Sequence, residues 1–303
     1  MMVGKIVVPT FYKDKHEDKS GMAGRSNILL HGLSKQYNMP LYYTDTPTFE
    51  DVDFALVHAV PYHNRPKLPY GLIDTDPHVK LIGFFEDLEC WGNEECVKNK
   101  LLAFKRYDVL VGPFHETFIE WYPQFLQKHI HFPHYFAPFD GFYKLEPNPN
   151  PIMKCLLSGN VNECYPFRQH IIANVPKDIF QYGGMGILFA EYPKFLNSYF
   201  CAIATGATSH LVVAKYFEIP AAGTLLLAEE INDAILVGLE ANVHYVPITR
   251  ENVVEKIKGV LKNPERYVEM RDRATKLVRE RHSEINRIEE FKNVLQFIEI
   301  NKE

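Results

Sequence analysis

The chain has 303 residues, 46% hydrophobic and 23% charged, with a formal net charge of −5. This length suits one large or two medium domains; the composition excludes a disordered chain, and the net charge argues against a duplex-binding surface. No apolar run reaches the roughly 18 residues of a membrane span, and Met1–Val8 lacks a signal peptide's basic flank, so a cytoplasmic protein is expected.

In chain order, strand-like apolar runs fall at Lys5–Val8, Phe54–Val60, Lys80–Phe85 and Asp108–Val111. Helical patterns lie between them at Ser26–Lys35, Glu94–Phe104 and His115–Leu126. Glu146-Pro147-Asn148-Pro149-Asn150-Pro151 then puts a proline at every second position, which predicts a stiff, non-helical connector near mid-chain. Beyond it, runs at Met153–Leu157, Ile179–Tyr182, Phe200–Ala204, Thr224–Leu227 and Val243–Val246 read as strands. Helical patterns follow at Pro166–Asn174, His210–Ala221, Glu230–Val237 and Arg250–Leu261, then one or two helices from Glu265 onward. The arginines and lysine at Arg271, Arg273, Lys276, Arg279, Arg281 and Arg287 read as a mostly solvated face.

Apolar runs without clean alternation suggest strands buried on both faces, and strand–helix alternation suggests parallel βαβ units. The fold class expected is α/β, with two Rossmann-like domains whose parallel sheets face a cleft. The boundaries expected are 1–145, 152–285, and a terminal helix over 286–303 returning to the first domain. Cys90, Cys96, Cys155, Cys164 and Cys201 show no C-x-x-C pair and read as reduced thiols, not as a disulfide framework or zinc site.

The stretch richest in chemistry is Thr205-Gly-Ala-Thr208-Ser209-His210, followed by Lys215-Tyr-Phe-Glu218-Ile-Pro-Ala-Ala-Gly223. Ser209 is a plausible N-cap for a helix running to about Ala222, with Gly223 at its C′ position. Unpaired amides at such a helix start favour a diphosphate. Lys215 and Glu218 are three residues apart and share one helix face, offering a cation for phosphate and a carboxylate for ribose, or a plain surface ion pair. A second stretch, Gly159-Asn160-Val-Asn-Glu-Cys-Tyr-Pro166-Phe-Arg168, follows the first strand of this half and enters a helix with Pro166 at N1. Gly159 lets backbone approach a ligand, and Arg168 offers a two-pronged grip on phosphate oxygens.

The run Lys215-Tyr-Phe-Glu218-Ile-Pro-Ala-Ala-Gly223-Thr-Leu-Leu-Leu resembles the donor-binding domain of GT-B glycosyltransferases, closest to the branch that includes spore-maturation-type enzymes. The resemblance covers roughly 153–291; the N-terminal half is similar in architecture only. It implies that Glu218 binds the nucleotide ribose and that Arg168 belongs to a diphosphate-binding strand–loop–helix. It also implies a terminal helix crossing back to the first domain. Retaining members of related families usually carry Glu-x7-Glu, but His210 stands eight residues before Glu218. The function implied is metal-independent transfer of a sugar from a nucleoside-diphosphate sugar to a hydroxyl of a glycan or glycoconjugate. No cofactor, metal or nucleic acid is expected.

Within that reading the donor residues are Gly159, Asn160, Arg168, Thr208, Ser209, His210, Lys215 and Glu218. Glu86 or Asp87, just past a predicted strand, is placed to deprotonate the acceptor, with His58 and His115 as rivals and His210 as a further catalytic candidate. Gly21-Met-Ala-Gly24-Arg25 reads as a loop able to approach phosphates or acceptor. The alternatives are a nucleotide-sugar epimerase of the same architecture, a silent nucleotide- or sugar-binding module, and a metal-dependent GT-A transferase using Asp51-Val-Asp53 or Asp74-Thr-Asp76. His129, His131 and His134 invite zinc, but alternating histidines without a nearby cysteine fit an extended, half-exposed segment better. Trp91 and Trp121 read as packing residues, with sugar stacking as the other option.

Overall fold

The computed structural model describes residues 2–10, 13, 21–45, 47–58, 78–86, 88, 93–137, 140–184, 186–188 and 190–300. The chain divides into two compact units, Met1–Pro133 with Ile285–Glu303, and His134–Glu284.

The first unit contains β1 (Gly4–Val8), α1 (Gly21–Tyr37), β2 (Leu41–Tyr43), β3 (Phe54–Val57), β4 (Lys80–Phe84), α2 (Glu94–Arg106), β5 (Val109–Gly112), α3 (Glu116–Trp121) and β6 (His129–His131). The strands form a parallel sheet in the order β2-β1-β3-β4-β5-β6. β1, β3 and β5 are buried along their whole length, which is why they read as unbroken apolar runs. The edge strands β2 and β6 have three residues each and sit half in solvent, so neither shows as an apolar run. The helix expected over His115–Leu126 breaks at Pro123, which opens a 3-10 turn, because proline lacks the amide that would continue the ladder. Asn93 caps α2 by accepting from the Cys96 amide at 2.9 Å. Cys96 is disulfide-bonded, whereas Cys155, Cys164 and Cys201 are free, which corrects the uniformly reduced reading.

The second unit runs α4 (Asp140–Lys144), β7 (Ile152–Ser158), α5 (Pro166–Asn174), β8 (Phe180–Gly183), α6 (Tyr192–Asn197), β9 (Tyr199–Ala204), α7 (Lys215–Ala221), β10 (Leu225–Glu229), α8 (Asp233–Leu236), β11 (Val246–Ile248), α9 (Val253–Lys262) and α10 (Val268–Arg281). Its sheet is also parallel, in the order β11-β10-β9-β7-β8. Alternate strand residues feed two apolar layers. Leu156, Ala202, Leu226 and Ala228 pack with Phe136, Phe142 and Tyr216 on one side. Cys155, Leu157, Cys201, Ile203 and Leu225 pack with Ile171 and Ile257 on the other.

Phe136 and Phe142 explain why the second unit begins at His134 and not after the proline run. Arg279 further ties the connector down, donating to Leu145 O at 2.5 Å and to Ala221 O at 2.9 Å. The final helix α11 (Glu284–Ile300) belongs with the first unit over most of its length. There Tyr37 donates to Ile288 O at 2.7 Å, and Arg287 donates to Pro133 O at 2.9 Å. Arg287 is 1% exposed, so it departs from the solvated face expected of it. β11 starts three residues later than the Val243 expected, because a turn with Asn242 at φ 63 and a His244–Glu240 backbone bond occupies that stretch.

Candidate functional site

In the second sheet β8 and β9 lie on opposite sides of β7, so the strand order switches between β7 and β9. Open α/β sheets bind ligands outside the carboxyl ends of strands at such a switch. Ser158 ends β7, and Gly159 turns the chain with φ +100. A Cβ built on Gly159 would lie 3.0 Å from Lys215 Cε and 3.2 Å from Arg168 Nη1. Two cations from different helices therefore converge on one stretch of backbone, and only glycine leaves them room.

Arg168 sits in the first turn of α5 and is 4% exposed. Its Nε donates to Thr205 Oγ1 at 3.0 Å, its Nη1 donates to Asn160 O at 2.9 Å, and the guanidinium lies 3.7 Å from the Tyr165 ring centre. Burial pulls its pKa below the ordinary arginine value, opposed by the surrounding tyrosines. Two of its donors thus brace the loops after β7 and β9, in place of the two-pronged phosphate grip expected.

Lys215, at the start of α7, donates from Nζ to the Tyr192 hydroxyl at 2.7 Å, and that hydroxyl pairs with Ser158 Oγ at 2.8 Å. Glu218 Oε2 lies 3.9 Å from the same Nζ, with its side chain 5% exposed. Tyr182 closes the group by donating to Gly159 O at 3.2 Å. The sequence brings Arg168, Lys215 and Glu218 forward; Tyr192 carries no local signal beyond a proline after it.

The helix expected from Ser209 begins instead at Lys215. His210 takes φ 51 and closes a turn onto Ala207 O, which ends any helical path through Thr208, Ser209 and His210. The diphosphate amides assigned to Ser209 and His210 are therefore loop amides, and Thr208 donates its own to Cys164 O at 2.9 Å. The His210 side chain is 73% exposed, with Nδ1 3.9 Å from Glu229 Oε1. Glu229 also accepts from the Gly206 amide at 3.0 Å. Burial raises its pKa, and the Gly206 bond works against that rise. Glu229 ends β10, a position readable from the predicted strand but not singled out.

In the first unit, Ser26 donates to Glu86 Oε1 at 2.6 Å, and His58 Nε2 stands 3.6 Å from Glu86 Oε2. Glu86 follows β4 and His58 follows β3, so two strand ends and α1 assemble this group. His115 lies elsewhere, its ring 5.8 Å from His129 and 5.6 Å from His131. Gly21, Gly24 and Arg25 fall inside α1, not in a loop: the Leu29, Leu30 and Leu33 stripe carries the helix back through them.

Asp51 takes φ 63 ahead of β3, and Asp53 accepts from the Val3 amide at 2.7 Å, so this Asp-x-Asp does not close a strand. Asp87, Asp74, Asp76 and Trp91 lie outside the described residues. Among the described residues no group of three or more His, Cys, Asp or Glu is placed to hold a metal ion. Trp121 is 38% exposed on α3.

Residues 169–293 match the family described as glycosyl transferase-like. The whole chain is similar to HepE of Anabaena, solved with UDP and glucose, at 11% identity and TM-score 0.69, over 98% of this chain and 100% of that one. It is also similar to an alpha1,3-fucosyltransferase at 12% identity and TM-score 0.60, over 97% of this chain and 91% of the other. The chain has a GT-B fold, and its segment 169–293 is glycosyl transferase-like. No curated protein matches the sequence. The two-sheet GT-B architecture lends nothing to the GT-A alternative. The matched segment contains Lys215 and Glu218 and begins one residue after Arg168. No helix among the described residues is long and apolar enough to cross a membrane.

Proposed function

We propose that this GT-B protein transfers a sugar from a nucleoside-diphosphate sugar to a hydroxyl of a glycan or glycoconjugate, without a metal ion. The observation that carries the reading is the convergence of Lys215 and Arg168 on the backbone of Gly159, with Glu218 beside Lys215. Lys215 meets the diphosphate, Arg168 holds the receiving loop in shape, and Glu218 takes the ribose hydroxyls. A fixed ammonium aimed at the leaving diphosphate stabilises the charge that develops as the sugar–oxygen bond breaks. UDP in the HepE structure supports the same ligand class. His210, backed by Glu229, stands exposed beside this loop and is assigned to the donor sugar. On the acceptor side, Glu86, held by Ser26 and next to His58, takes the hydroxyl proton.

Calorimetric titration with UDP, GDP, ADP and CMP tests the donor site. One nucleoside diphosphate should bind, and Lys215→Met should weaken it by roughly 10- to 100-fold, the worth of one charge-assisted hydrogen bond. Transfer should persist in EDTA. Absence of binding by all four nucleotides overturns the reading, and complete loss of transfer on chelation overturns its metal independence.

A further inference from the structure

Tyr192 opens α6 and is 9% exposed. Its ring stacks along Phe195, with centroids 6.3 Å apart, and Phe195 is itself wedged so close to Gly184 that a Cβ there would come within 2.6 Å of it. The phenol is thus held from behind, and its oxygen has a defined place. That oxygen accepts from Lys215 Nζ at 2.7 Å and pairs with Ser158 Oγ at 2.8 Å. Ser158 is 3% exposed, so this end of the relay is shielded from water. Nζ lies 5.0 Å from the ring centre, which places the ammonium at the hydroxyl edge and not over the π face. The relay runs from the last residue of β7 to the first of α7.

Glu218 also stands beside Lys215, its Oε2 at 3.9 Å making an ion pair but no hydrogen bond. A lysine ammonium rides on a flexible four-carbon stem. Without the phenol oxygen it would swing onto that carboxylate, and each charge would then neutralise the other. We propose that Tyr192 is the positioning residue of this site: its hydroxyl keeps Lys215 against Gly159 and out of direct hydrogen bonding with Glu218. The ammonium then stays available to a diphosphate oxygen, which replaces the phenol as acceptor. This inference rests on the donor-site reading given above.

A double-mutant comparison tests it, with UDP and GDP titrated against the wild type, Tyr192→Phe, Lys215→Met and the double variant. Tyr192→Phe keeps the ring and its packing, and thermal melts report whether it folds. If Tyr192 acts through Lys215, Tyr192→Phe weakens the tighter nucleotide by about tenfold in the wild type and by less than about twofold beside Lys215→Met. An equal loss in both backgrounds makes Tyr192 an independent or merely structural contact and overturns the proposal. Unchanged affinity in Tyr192→Phe, with Lys215→Met weakened, overturns the proposal alone. Unchanged affinity in Lys215→Met overturns the donor-site reading and this proposal with it. Should Tyr192→Phe not fold, Ser158→Ala loosens the same hydroxyl and enters the same comparison, with a smaller loss expected in the same direction.

Discussion

Each unit places its first strand between the second and third, so each sheet has a strand-order switch, yet the two carboxyl edges receive different chemistry. At β7–β9 the group is cationic, with Arg168 and Lys215 around Gly159. At β3–β4, one strand along from that unit's switch, it is a carboxylate bonded to a serine and adjacent to an imidazole, Glu86 with Ser26 and His58. The architecture is shared and supplies only the position; the side chains delivered there decide between holding an anion and handling a proton. Two partly buried groups, one from each unit, also shift in opposite directions. His129 in the first is pushed down to about 3, by burial first and then by His115 and His131. Glu284, the last residue of the second, is pushed up to about 7 by burial.

The largest expected effect breaks the contrast at the first edge. Glu86→Gln should lower the turnover rate by about 10²- to 10⁴-fold, as loss of a general base does, while leaving nucleotide affinity within about twofold. Steady-state rates beside calorimetric titration check this, and an unchanged rate would remove the proton-handling role. Next comes Arg168→Met, which strips Thr205 Oγ1 and Asn160 O of their buried donor. A loss of about 2–3 kcal/mol in unfolding free energy is expected, measured by urea titration. A loss below about 0.5 kcal/mol, the level of ordinary surface changes, would show that Arg168 does not brace these loops.

The smallest effects are in pH dependence. The neutral His129 contributes stability that is complete above its ordinary pKa of 6.5 and is lost as pH falls from there toward about 3. Glu284 works the other way, its contribution being complete below its ordinary 4.5 and lost as pH rises through about 7. His129→Phe should therefore flatten the acid side of a melting-temperature profile, and Glu284→Gln the side between weakly acid and neutral. Identical slopes in variant and wild type would erase this difference between the two groups.

Much of the chemistry was legible because it is local. Lys215 and Glu218 share a helix face by their spacing alone, and Gly159 and Arg168 flank a proline-opened helix just past a buried strand. Tyr192 was not legible, because its partners Ser158 and Lys215 are 34 and 23 residues away and only packing unites them. The start of α7 was misplaced because helical periodicity continues through His210, whereas the chain there takes a left-handed turn closed by the His210 amide on Ala207 O.

The sequence by itself determined two α/β units with parallel sheets, because strands buried on both faces write continuous apolar runs and their crossover helices write a longer period. Tertiary structure alone decided which strands sit at the edges and where the second unit begins. It also decided which side chains meet at the carboxyl ends of the strands. Those depend on contacts between residues far apart in the chain, and a local pattern carries no record of them.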